Sequence, residues 1–324
     1  MDIIKYLERG ETSMNAASAI VPVVFMLGLG YFTRVGRIIS GEQNAGVKKL
    51  IFSLLLPILV FNATFTMDVD AKYIQVTGYM FLLHCLALAL GAVIFRRLRT
   101  EYSHISPWLM TTIEGGNAFY PLYTSLVGAG FSSYFVLLDV PGIFVVFLVF
   151  PLVMARITSE KAGISGSLKS LVHNPVICGL VAGILLNVTG VAQVFMKTAA
   201  FEVYESLISV ATAPIAPLIL FTLGYAFGIG REDLFPMVIT LVVRLVLMGL
   251  GIAGAFALFP WILEDMQLMI AVILFLMSPP AFAVPIVIEK MFRKKADGQF
   301  CSTYISMHML VTVVVFAIIA LIIG

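Results

Sequence analysis

Runs of about twenty apolar residues alternate with short polar stretches along almost the whole chain. At 1.5 Å of rise per residue, a helix of that length crosses the hydrocarbon core of a bilayer. The pattern predicts ten spans, over 15–33, 46–66, 73–96, 106–126, 133–155, 172–192, 204–229, 234–259, 267–289 and 301–323. Two of these runs contain residues that do not continue a helix. The fourth holds Glu114-Gly115-Gly116-Asn117-Ala118-Phe119-Tyr120-Pro121, and the ninth holds Ser278-Pro279-Pro280-Ala281-Phe282-Ala283-Val284-Pro285. A broken membrane helix leaves backbone groups unpaired at depth, which is tolerated only where protein or a polar cavity surrounds the break. A pair of such breaks in corresponding places points to the substrate site of a secondary transporter.

The rest of the pattern suggests an internal repeat. Pro57 and Phe61 of span 2 recur as Pro217 and Phe221 of span 7, at an offset of 160. Ala118-Phe119 with Pro121 recurs as Ala281-Phe282 with Pro285, at an offset of 163 for the first two. Two halves of five spans each have opposite orientation in the membrane. The expected organisation is a polar lead over 1–14, a first five-helix repeat over 15–155, a cytoplasmic linker over 156–171 and a second repeat over 172–324. The fold class is therefore an all-α polytopic membrane protein with ten transmembrane helices in two inverted repeats.

Composition agrees: 60% of the 324 residues are hydrophobic and only 12% are charged. A soluble interior cannot hide that much apolar surface, so the lipid bilayer is an expected partner. The net charge of +2 gives no basic patch for nucleic acid. The basic residues nonetheless have a pattern. Arg34, Arg37, Lys48, Lys49, Arg96, Arg97, Arg99, Arg156, Lys161, Lys169, Arg231, Lys290, Arg293, Lys294 and Lys295 all follow odd-numbered spans. The opposite side has Lys5, Arg9, Lys72 and Lys197 among Asp68, Asp70, Glu202, Glu205, Glu264 and Asp265. The positive-inside rule then puts both termini outside. Charge is mixed over the first fifteen residues, which makes a poor signal peptide. Cys85, Cys178 and Cys301 have no metal-knuckle spacing, and the four histidines are scattered. No metal and no cofactor are expected. Gly28-Leu29-Gly30 lacks the strand and third glycine of a nucleotide fingerprint.

Three residues with a formal charge lie well inside the predicted spans: Glu114, Asp139 and Arg244. Such residues are expensive in a bilayer and mark function by default. Glu114, at the edge of the first break, suits proton exchange, or else it caps the unwound helix or neutralises Arg244. Asp139 is a second coupling candidate, or the N-cap of a helix start set by Pro141. Arg244 offers a fork for a substrate carboxylate, or serves as a fixed partner of Glu114 or Asp139. Asn117 has an amide that satisfies either a freed backbone group or a ligand. Half-helix N-termini at the breaks favour an anion. The candidate substrate residues are Gly116, Asn117, Ala118, Tyr120, Pro280, Ala281, Phe282 and Arg244. The candidate hinges are Pro57, Pro121, Pro217, Pro279 and Pro285. Asn62, Thr64 and Thr222 line a cavity or hydrogen-bond between helices.

The motifs as they stand resemble those of the auxin efflux carrier family, in particular its bacterial malate and malonate permease-like members. They are Leu55-Leu56-Pro57 through Phe61, His173-Asn174-Pro175 with Gly179, Gly183 and Gly190, and Pro217-Leu218 through Leu223-Gly224. The resemblance implies that helices 4 and 9 cross at unwound centres, between a scaffold group and a mobile group. It implies a small organic anion as substrate, such as malate or an indole acid, and a bacterial inner membrane. It also admits a homodimer and H+ or Na+ as coupling ion. Gly116-Asn117 fits the family's helix 4, and Glu114 with Gly116 looks like a bacterial variant of it. In helix 9 the family's asparagine is replaced by Val284.

Other classes fit less well. No ATPase motif is present, so gradients supply the energy. A channel, a gradient-independent uniporter and a transporter-fold sensor are the alternatives. An enzyme is not expected, because no nucleophile–base spacing stands out.

Overall fold

The computed structural model describes residues 16–67, 71–158, 174–226 and 234–323. The predicted polar lead, nearly all of the predicted linker, and Arg231 lie outside these residues. The described residues are all-α. In chain order they form α1 (Ala16–Val35), α2 (Gly41–Thr66), α3 (Ala71–Leu98), α4 (Tyr120–Val127), α5 (Ser132–Phe144), α6 (Phe150–Thr158) and α7 (Pro175–Val188). Then follow α8 (Val191–Phe195), α9 (Ala200–Thr212), α10 (Ile215–Ala226), α11 (Leu234–Leu258), α12 (Met266–Leu276), α13 (Val284–Val287) and α14 (Lys295–Ile323).

Among the described residues, five stretches are long and apolar enough to cross a membrane: Gly41–Thr66, Lys72–Leu98, Ala200–Tyr225, Leu234–Leu258 and Lys295–Ile323. Shorter apolar helices cover Val21–Val35, Ser132–Phe144, Pro175–Val188 and Met266–Leu276. Phe25, Phe32, Leu82, Val210 and Phe235 point outward from several of these helices and are largely exposed. Apolar surface on so many faces belongs against lipid tails. The chain is a multi-pass helical membrane protein.

Helix boundaries follow local chemistry. α2 begins at Gly41, earlier than the apolar run, because Ser40 and Gln43 form a capping box: Gln43 N donates to Ser40 Oγ and Ser40 N to Gln43 Oε1. Pro57 has no N–H to offer the preceding turn, and a π turn over Ile51–Leu55 takes up the mismatch. Pro217 does not mark the break in span 7. The helix ends at Thr212 and restarts at Ile215, so Pro214 stands at the discontinuity and Pro217 lies inside α10. Asp139 is not an N-cap either. It sits within the continuous helix α5, which tolerates Pro141 and loosens into a π turn over Val145–Val149.

Glycines set two close helix contacts. A Cβ on Gly183 of α7 would lie 2.6 Å from Phe61 O and 3.1 Å from Phe65 N of α2. A Cβ on Gly30 of α1 would lie 2.7 Å from Tyr225 N and 3.0 Å from the Phe221 carbonyl carbon of α10. Phe61 and Phe65 match Phe221 and Tyr225 at the offset of 160. Gly183→Ala is therefore expected to lower stability by about 1–3 kcal/mol through overpacking of backbone on backbone. Gly78→Ala meets nothing within 4 Å and should shift stability by no more than about 1 kcal/mol, towards gain. Thermal unfolding of the two variants in one detergent checks the contrast.

Candidate functional site

The two broken stretches meet. Between α3 and α4 the chain makes a single 3-10 turn, Ser106–Leu109, then runs unwound to Glu114 and re-forms through a π turn over Gly115–Phe119. Between α12 and α13 it is non-helical over 278–283. Glu114 N donates to Pro279 O at 2.8 Å, which joins one break to the other.

The carboxylate of Glu114 makes the second join. Its Oε1 accepts from Asn117 N at 3.1 Å and from Asn117 Nδ2 at 2.5 Å. Its Oε2 accepts from Phe282 N at 2.6 Å. One carboxylate thus takes up free N–H groups from both breaks, at Asn117 and at Phe282. The anion-binding position expected at the breaks is occupied by the protein's own side chain. Glu114 and Asn117 are both buried.

Arg244 does the converse. It is wholly buried on α11. Its Nη1 donates to Leu109 O at 2.7 Å and Thr111 O at 2.5 Å. Its Nη2 donates to Thr112 O at 3.0 Å and Ser278 O at 3.3 Å. A guanidinium fork is well shaped for this, and the carbonyls are those left free by the unwound backbone of the two breaks. Among the described residues, no carboxylate forms an ion pair with Arg244. Its partner is the unwound backbone rather than Glu114 or Asp139.

Asp139, partly buried on α5, accepts a hydrogen bond from Gly115 N–H and packs against the Gly115 Cα, where no side chain would fit. It lies within Coulombic range of Glu114. Gly116 faces Phe52 and Leu56 of α2, so the first break presses directly on that helix. Ala118 and Phe119 are fully buried. Pro121 and Pro285 start the helices beyond the breaks, and Pro279 and Pro280 are buried in the second break. Ala281 and Phe282 are half-buried beside them.

A cavity of about 910 Å³ lies beside Tyr120, just beyond the first break. Its lining includes Asn62, Tyr120, Thr124, Ser132, Glu205 and Thr212, from α2, α4, α5 and α9. Of the predicted substrate residues, Tyr120 lines it, one turn beyond Asn117. The Tyr120 hydroxyl hydrogen-bonds Ser132. Asn62 also lines it and accepts from Tyr204 Oη at 2.9 Å. Thr64 and Thr222 instead back-bond to Val60 and Ile219 carbonyls inside their own helices. Among the described residues, the lining carries Glu205 but no lysine or arginine.

Several site residues had no clear sequence signal. Lys48, expected among the basic loop residues, lies half-buried on α2 within Coulombic range of Glu114. Asp297 precedes the predicted tenth span, 301–323. It is fully buried in the first turn of α14, where Oδ2 bonds His104 Nε2 at 2.8 Å and accepts from Arg293 N at 2.7 Å. Lys294 ion-pairs with Glu101 beside it. These contacts clasp the loop entering the fourth span to the loop leaving the ninth. Asn187 is a further case: its Nδ2 donates to Phe65 O and Met67 O, both at 2.8 Å, and so caps the end of α2. Neither a protein-family model nor a curated protein matches the chain.

Proposed function

We propose that the protein is a secondary active transporter of a small organic anion, working by alternating access around helices 4 and 9. The observation that carries this reading is the junction at Glu114, where two broken membrane segments share one carboxylate, one turn from a large cavity. Irregular backbone at membrane depth belongs to ligand sites, and such crossings divide the two access paths of carriers.

Ten spans in two inverted repeats fit the packing. The contact of Gly183 with Phe61 and Phe65, and that of Gly30 with Phe221 and Tyr225, exchange the two halves as an inverted repeat requires. Membership of the auxin efflux carrier family rests on the same residues, with Pro57 O packed against Gly179 and Asn174 capping α7 through Val176 N at 2.9 Å. With the basic loops in the cytoplasm, the cavity faces outside, as do both termini.

The geometry suggests how a proton and an anion are coupled. An ionised Glu114 keeps the N–H groups of Asn117 and Phe282 for itself. A proton on Glu114 weakens both bonds and releases the two N–H groups to a substrate carboxylate. Anion and proton then enter together, and the site carries no extra charge when it reorients. A sodium-coupled cycle is the second reading. Asn117 Oδ1 is a buried acceptor without a partner, beside the carboxylates of Glu114 and Asp139, and hard oxygen ligands suit Na+.

Purified protein in sealed liposomes tests both readings. Malate, malonate, lactate and indole acetate are offered under separate proton and sodium gradients. Saturable uptake driven by the proton gradient is expected. Drive by sodium alone selects the second reading, and no carboxylate flux under either gradient overturns the carrier assignment.

A further inference from the structure

Behind the crossing, a group of buried polar side chains surrounds Arg244. Arg244 Nε, Thr112 Oγ1, Tyr304 Oη and both ring nitrogens of His84 and His308 have no hydrogen-bond partner in the protein. All five residues are fully buried. They come from four elements: α3, the first break, α11 and α14. Tyr304, His84 and His308 lie within Coulombic range of the guanidinium. Tyr304 and His308 are one turn apart on α14, their rings edge-on at 6.0 Å. Thr112 is tied to Arg244 through its own carbonyl.

Buried polar groups in folded proteins are almost always bonded, and each orphan is costly. Arginine Nε–H only donates, while each hydroxyl and each neutral imidazole carries both a donor and an acceptor. Arg244 lacks an acceptor for its Nε–H, and among the described residues no carboxylate pairs with its charge. Asp297 also has an unpartnered oxygen, but it is seven residues before Tyr304 on α14, about 10 Å away along the axis. The fixed positive charge decides between acceptors, since it favours an anion over water. Full burial of the surrounding side chains favours a small one.

We propose that Arg244 Nε, Tyr304 and His308, with Thr112 and His84 around them, form a binding site for a monovalent inorganic anion of halide size. This site is separate from the position held by Glu114, and the assignment does not depend on the carrier reading. The anion partners the donors left over by the carbonyl clamp and locks α14 to the crossing.

The test uses the full chain purified in detergent. Thermal unfolding is measured while bromide replaces gluconate at constant ionic strength, and crystals grown in bromide are searched for anomalous signal. Saturable stabilisation and a bromide peak beside Arg244 Nε are expected. Tyr304→Phe should weaken the apparent bromide affinity about tenfold, the loss of one hydrogen bond to a charge. Thr112→Val provides a second variant that keeps side-chain shape and should weaken it in the same direction. Water alone at Arg244, with no saturable bromide effect, overturns the proposal. Displacement of bromide by malate overturns the claim of a separate site.

Discussion

Arg244→Lys is expected to cost the protein its stable fold, not merely its activity. The guanidinium donates to four carbonyls, Leu109, Thr111, Thr112 and Ser278, at 2.5–3.3 Å. These carbonyls belong to two separate breaks, so the fork holds the two breaks together. An ammonium has three donors on one atom and cannot span the same set. At least one buried carbonyl is left unpaired, and a shift of the shorter side chain leaves more. Each costs about 1–3 kcal/mol, against a total stability of about 5–15 kcal/mol. Arg244→Met removes every donor and should be worse. Fluorescence-detected size exclusion after a heating series reads the result directly. A Met variant that stays monodisperse with the wild-type midpoint would show that the clamp is not needed for folding.

The multi-pass helical character and both breaks were legible because bilayer thickness and backbone chemistry constrain them. A run of apolar residues has to be about twenty long to cross, and Gly115-Gly116-Asn117 or Pro279-Pro280 cannot continue such a helix. What the breaks touch was not legible. Phe282 N is 168 residues from Glu114, and no spacing rule links a carboxylate to a distant backbone amide. The charge of Arg244 suggests a substrate carboxylate or an acid of the chain as its partner. Carbonyls freed by unwinding leave no mark in sequence, although they need a donor as much as a carboxylate does. Asp139 was misread for a related reason. Pro141 suggests a helix start, but the π turn at Val145–Val149 lets α5 run through it. Tyr120, expected at the substrate site, lines the cavity just beyond the first break, whereas the burial of Asp297 and Lys48 has no mark in the sequence, because both stand at the polar ends of apolar runs.

Glu114→Gln is expected to abolish proton-driven uptake while most of the protein still folds. The carboxylate presents acceptors on both oxygens, to Asn117 N, Asn117 Nδ2 and Phe282 N. A glutamine amide keeps one acceptor and replaces the other by an NH2 donor. Either way round, that donor faces an N–H, at Phe282 or at Asn117. The unpaired contact costs about 1–3 kcal/mol, less than the loss of the Arg244 clamp because one join survives, as does the bond from Glu114 N to Pro279 O. The functional effect is larger. Glutamine carries no exchangeable charge, so it cannot alternate between holding the two N–H groups and releasing them. Proton-driven uptake should fall at least about a hundredfold, the scale of a lost essential proton carrier. Asp139→Asn separates coupling from architecture. An asparagine oxygen still accepts from Gly115 N–H, so a modest thermal shift is expected, and any loss of uptake then reports on charge alone. If Glu114→Gln keeps full proton-driven uptake at a lowered melting temperature, Glu114 is a structural brace and the coupling site lies elsewhere. If uptake vanishes while the melting temperature moves by only a few degrees, the same carboxylate that joins the two breaks also carries the proton.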